Sequence, residues 1–96
     1  MSKLLSIDRA VLRRLQALPK SERVECLLAL CELPEAFGRP HAHSGLGLRK
    51  LGNKLFECRG SVKLRFIFQD RSSDLFVSFL GNHDEIKALL QSGKYR

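Results

Sequence analysis

Val62, Leu64, Phe66 and Phe68 alternate with Lys63, Arg65 and Ile67 along the chain. Successive side chains of a strand point to opposite faces, so this period of two predicts a β-strand over Val62–Gln69, with one face on a core and the other charged. Such a strand needs neighbours for its backbone groups and a cover for its apolar face. The neighbours lie close by in sequence. Lys54–Arg59 (KLFECR) reads as a strand that reaches it through a tight turn at Gly60-Ser61, and Leu75–Leu80 (LFVSFL) as a strand that follows the polar turn Asp70–Asp74. The order predicts an antiparallel meander. In the first of these strands Phe56 and Cys58 oppose Leu55, Glu57 and Arg59. Glu57, Arg59, Lys63 and Arg65 are therefore expected on one outer face, a charged flat or concave surface.

The cover comes from the N-terminal third. Val11, Leu15 and Leu18 recur at helical spacing with Leu12 beside them, which predicts a helix over Ser6–Leu18 capped by Ser6 or Asp8 and ended by Pro19. A second helix is expected after Ser21, with Val24, Leu27, Leu28 and Cys31 as its apolar stripe and Pro34 and Gly38 as its stop. Asn82, with Glu85 three residues on, has the form of a capping box. It opens a short C-terminal helix whose buried stripe is Ile86, Leu89 and Leu90 and whose end is Gly93. The expected fold class is α+β: two N-terminal helices on a small antiparallel meander, with a short C-terminal helix.

A chain of 96 residues has room for one core, so residues 1–96 are read as a single domain. The longest apolar run, Cys26–Cys31, is too short to cross a membrane, and Asp8 and Arg9 interrupt any signal-peptide core. The expected location is the cytoplasm. Three cysteines, Cys26, Cys31 and Cys58, form no CxxC pair and read as buried reduced thiols.

Charge is unevenly placed. The net charge is +7, of which residues 1–36 carry +1 and residues 37–96 carry +6. Arg39, Arg49, Lys50, Lys54, Arg59, Lys63 and Arg65 surround a single acid, Glu57. That density suits a polyanion, RNA above all. Residues 38–48 read as a connector. Gly45 and Gly47 lack the spacing of a dinucleotide fingerprint, and His41 and His43 lack a third ligand nearby in sequence for a metal.

The order of these blocks resembles the RelE/ParE superfamily of toxin–antitoxin toxins. Leu48–Arg59 (LRKLGNKLFECR) is similar to the KLGxGLYELR block of the HigB-like branch, and Arg65–Phe68 (RFIF) to the YRVLY strand that follows it. Gly81-Asn82-His83 is similar to the GxH near the C-terminus of YafQ-type members. The resemblance spans roughly residues 8–90. It implies an initial strand, for which Leu4–Ile7 is the available segment. It also places Glu57 where RelE carries a lysine.

What the resemblance implies is the toxin of a type II toxin–antitoxin pair, a ribosome-dependent mRNA endoribonuclease that blocks translation without metal or cofactor. Its partners would be a cognate antitoxin, the ribosome and mRNA. The chemistry is attack of a 2′-OH on the adjacent phosphate, which needs a base, an acid and cations for the phosphoryl oxygens. His83 is the candidate base and Arg65 the candidate phosphate ligand. Glu57 reads either as a base or as a neutraliser of its basic neighbours. Arg59, Lys50, Lys54, Lys63 and Arg49 are candidates for the RNA backbone, His43 for an active-site role and Tyr95 for stacking on a base. Two other readings stay open: a ParE-like poison of DNA gyrase, and a catalytically inactive binding module.

Overall fold

A computed structural model describes residues 3–38 and 44–93. The chain runs β1 (Leu4–Ile7), α1 (Arg9–Ala17), α2 (Lys20–Ala36), a 3-10 turn (Ser44–Leu46), β2 (Arg49–Gly52), β3 (Leu55–Arg59), β4 (Arg65–Asp70), β5 (Asp74–Gly81) and α3 (His83–Gln91). The described strands form one mixed sheet in the order β1-β5-β4-β3-β2. Its centre is the antiparallel meander expected from the alternation: Cys58 pairs with Phe66, and Phe66 with Leu80.

Both edges go beyond that expectation. β1 pairs in parallel with β5, Leu5 beside Leu75, and Asp8 N–H extends the ladder to the Val77 carbonyl. β2 pairs with β3, Arg49 beside Glu57, with a bulge between Lys50 and Gly52. Residues 49–52 carry no strand signal in the sequence, because a four-residue edge strand with two exposed cations shows no alternation. Lys54 belongs to the β2–β3 turn rather than to a strand, and its φ of 59° lies in the left-handed region.

β4 starts three residues later than its sequence pattern. Ser61 Oγ accepts from Leu64 N–H, and the Gly60 and Ser61 N–H groups donate to the Leu64 carbonyl. This turn holds Val62 at its tip, 89% exposed, so Val62 does not share the buried face of Leu64, Phe66 and Phe68.

α1 begins at Arg9, capped by Asp8, whose carboxylate accepts from Ala10 N–H; Ser6 lies in β1 instead. Val11 and Leu15 face the sheet. α2 departs most from expectation. It buries Cys26, Ala29, Leu30, Leu33 and Ala36, and turns Val24, Leu27, Leu28 and Cys31 outward. Both sets have helical spacing, so period alone does not choose between them. Small side chains at 26, 29 and 36 let the helix approach the sheet, which the bulkier outer stripe does not. Pro34 lies inside the helix rather than ending it. It removes one donor, while Phe37 N–H still reaches the Leu33 carbonyl and burial of Leu33 and Ala36 holds the last turn.

The larger core lies between these helices and the sheet. Phe66, Phe68, Leu33, Leu75, Val11 and Val77 are fully buried there, each worth about 1.5–3 kcal/mol of transfer free energy. Phe37 meets Phe56 and Phe68 edge-on at 4.9 and 5.6 Å, and closes the C-terminal end of α2. α3 packs on the opposite face through Ile86, Leu89 and Leu90, against Leu51, Leu55, Ile67 and Phe79. That face is therefore not an open charged surface; half of it is a second, smaller core. No described helix is long and apolar enough to cross a membrane.

A Cβ at Gly60 would lie 2.9 Å from the Phe66 ring and 3.1 Å from Cys26 Sγ. Both neighbours are buried and cannot swing away. Gly60→Ala should destabilise the protein by about 1–3 kcal/mol, read in a thermal melt as a Tm lower by at least about 4 °C. Gly45→Ala, with nothing within 4 Å, is the control expected to melt with the parent.

Candidate nucleic-acid interface

The outward positions of the sheet divide into two zones. Leu55, Ile67 and Phe79 lie under α3. The charged side chains lie beside them: Arg49 and Glu57 extend the cross-strand row of Ile67 on the β2–β3 side, and Arg59, Arg65 and Gly81 form the next row. Directly paired residues sit about 4.5–5.5 Å apart at Cα. Arg59 and Arg65 are therefore like charges face to face, an arrangement that repels unless a counter-charge is close.

Glu57 supplies that counter-charge. It is 3% exposed, and one of its oxygens lies 3.0 Å from Arg49 Nε and 3.7 Å from Arg65 Nη1. A buried carboxylate without partners would be costly; two guanidiniums from the flanking strands compensate it. Three arginines against one acid leave the patch with a net charge of about +2, and the exposed Arg59 and half-buried Arg65 are its surface.

His83 is the first residue of α3 and is exposed. Its backbone is fixed from two sides. Asn82 Oδ1 accepts from Glu85 N–H, and Glu85 Oε1 accepts from Asn82 N–H, a complete capping box. Arg14 then reaches from α1 to clasp Glu85 with two parallel bonds of 2.9 Å. The Arg14 fork and the Asn82 N–H hold the Glu85 carboxyl down at about 2. Gly81 permits this close turn, since a Cβ there would fall 2.6 Å from the Phe79 ring and 3.1 Å from Glu85 Cβ. Gly81 pairs with Arg65, so the strand ladder sets His83 two residues from a position beside that arginine.

The remaining sequence candidates disperse. Lys50 pairs with Phe56, whose ring joins the core under α1 and α2, so Lys50 shares that face and not the one carrying Arg65. Lys54 and Lys63 are exposed in separate turns, and Lys63 is not in line with the strand arginines as expected. Arg39, His41, His43 and Tyr95 lie outside the described residues. Cys26 and Cys58 are buried, and burial pushes their thiols up to about 11 and about 12, so neither is poised as a nucleophile. Cys31, expected to be buried, is exposed on α2. The Arg14–Glu85 clasp was missed from sequence. The capping box announced Glu85, but nothing announced a partner 71 positions away.

Comparison with solved structures yields the class of fold. Over 85% of this chain and 96% of the other, it superposes on a chain of the archaeal RelE–RelB complex of Pyrococcus horikoshii with a TM-score of 0.70 at 20% identity. A free E. coli RelE toxin with two arginines changed to alanine matches over 98% of this chain and 97% of that one, with a TM-score of 0.69 at 18% identity. The RelB–RelE antitoxin–toxin complex of Methanococcus jannaschii gives 0.63 at 10% identity, covering 88% of this chain and 96% of that one. No family model matches the sequence, and no curated protein does. The fold is the RelE fold, as the order of sequence blocks implied.

The Glu85 carboxyl titrates at about 2 in the folded protein against an ordinary 4.5. The unfolded chain takes up the proton first, so the clasp contributes its full stability above about pH 4.5 and loses it as pH falls toward 2. Glu85→Gln should lower Tm near neutral pH and flatten the loss of Tm over that window. Asp74, drawn down to about 2 by Arg71 and Ser6, leaves a residual slope. Parallel pH–Tm curves for the two proteins would show that the clasp carries no stability.

Proposed function

We propose that this chain is the toxin of a type II toxin–antitoxin pair and that it cuts mRNA on the ribosome. The observation that carries the reading is the Arg59–Arg65 row beside the rigid start of α3, where His83 stands. The RelE and RelB proteins named among the similar structures supply the toxin–antitoxin context; the chemistry rests on the residues.

In the proposed reaction the ribose 2′-oxygen attacks the adjacent phosphorus. A bond forms between them, the bond from phosphorus to the 5′-oxygen breaks, and the products are a 2′,3′-cyclic phosphate and a 5′-hydroxyl. His83 takes the 2′-OH proton. Arg65 faces the non-bridging oxygens, where negative charge grows, and its planar fork suits two of them at once. Arg59 holds the neighbouring backbone. The 5′-oxygen takes its proton from an acid or from water. Glu57 acts as the counter-charge that keeps Arg49 and Arg65 in place, and an antitoxin that covers the patch would bring acidic side chains to it.

Primer extension on mRNA after induction in cells tests the reading. Cleavage that requires translation is expected, with His83→Ala and Arg65→Ala each lowering it by roughly 100-fold or more. Variants that cleave and poison growth like the parent would overturn the assignment of both residues. Inhibition of gyrase supercoiling by purified protein, with RNA left intact, would favour the ParE-like reading instead.

Glu57→Gln separates its two possible roles. As a counter-charge, its loss should raise RNA affinity at low salt and make binding more salt-dependent, with cleavage retained. A cleavage rate lower by roughly 100-fold at unchanged affinity would instead make Glu57 the base.

A further inference from the structure

The outer face of α2 is apolar although nothing in the described chain covers it. Leu28 is 58% exposed, Val24 46% and Leu27 45%, with Cys31 also exposed. Leu12 on α1 is 43% exposed. At 100° per residue the α2 stripe lies opposite the buried set of Cys26, Ala29, Leu30, Leu33 and Ala36. A contiguous exposed stripe of this kind marks an association surface.

The arrangement of charge around the stripe selects the occupant. Exposed Lys20 stands at the N-terminal end of α2 and exposed Glu35 at its C-terminal end. Read outward from the midpoint between Leu27 and Leu28, the face is self-complementary in reverse: Leu27 matches Leu28, Val24 matches Cys31, and Lys20 matches Glu35. Each pair lies equally far from the midpoint along the helix and equally to either side of the face. A two-fold axis through that midpoint, perpendicular to α2, therefore brings apolar onto apolar and cation onto anion at both ends. Arg23 does not compete, because its guanidinium is turned back onto the Leu18 carbonyl at 3.0 Å.

We propose that α2 is a self-association surface on which a second copy of this chain docks antiparallel. In the dimer the Leu27–Leu28 pair of one copy packs on the same pair of the other, Val24 packs on Cys31, and two Lys20–Glu35 ion pairs flank the seam. Such an isologous contact closes on itself and leaves no stripe for further growth. It lies on the opposite side of α2 from the sheet, so it leaves Arg59, Arg65 and His83 uncovered and is independent of the activity proposed above. The seam is one helix of about 25 Å per copy, and the chain's net charge of +7 opposes encounter at low salt. A reversible dimer that forms at micromolar concentration is therefore expected rather than an obligate one.

Sedimentation equilibrium near physiological salt, across a hundredfold concentration series in the micromolar range, tests this. The parent should pass from monomer to dimer. Leu28→Glu should remain monomeric with an unchanged far-UV spectrum, since that side chain touches no core. Lys20→Glu should weaken the dimer by roughly tenfold, because two attractions become two repulsions. Adding Glu35→Lys to it should restore the parent's association. A parent that is monomeric throughout, a Leu28→Glu variant that dimerises equally well, or a double variant no tighter than Lys20→Glu would each overturn the proposal. A stripe that instead takes up only an antitoxin segment would appear as the first of these outcomes.

Discussion

β4 is apolar on both faces, and most of the molecule is arranged around that fact. Phe66 and Phe68 face α1 and α2, while Ile67 between them faces α3, and all three are inaccessible to solvent. A strand buried this way cannot lie at an edge or under one layer of helix. β3 and β5 must flank it to pair its backbone groups, and helices must cover both sides. The second core under α3 is small, which leaves the arginine end of the outer face open to solvent. Hydrophobic burial thus decides where the charged patch ends.

Much of this was legible in the residues. The alternation through Leu64, Phe66 and Phe68 was correct, and Asn82 with Glu85 announced the start of α3 down to the reciprocal hydrogen bonds. What failed did so for identifiable physical reasons. Ile67 was counted with the charged side of β4, but it is the floor on which α3 sits, and α3's own stripe of Ile86, Leu89 and Leu90 already required such a floor. β2 left no signal, and β1 was legible only through the family resemblance, because both are edge strands of four residues stabilised by ladder hydrogen bonds rather than by a pattern of side chains. The stripe of α2 was misassigned because two apolar faces share one helix, and side-chain size rather than hydrophobicity separates them.

The site was legible in its residue types and less so in its geometry. Arg59, Arg65 and Glu57 do share a face, since strand alternation carries over directly from sequence. Lys50 and Lys63 do not join them: a register shift and a turn intervene, and neither follows from composition. Arg49 belongs to the cluster for a reason its position in sequence does not express. It is the residue that β2 lays beside Glu57, and so the first partner of the buried carboxylate.

Electrostatics ties these pieces into one design. A directly opposed Arg59–Arg65 pair on neighbouring strands would weaken the β3–β4 pairing if left alone. Glu57, one row along and almost inaccessible to solvent, draws Arg65 away from that repulsion while Arg49 shares the load. The patch can then present positive potential without spreading the strands that carry it. The same logic holds on α3, where Arg14 and the capping box keep Glu85 occupied and so keep its negative charge turned away from an incoming anion. Glu57 and Glu85 are thus committed to internal partners. An anion that approaches Arg59 and Arg65 meets their guanidinium groups, with Glu57 and Glu85 already neutralised behind them.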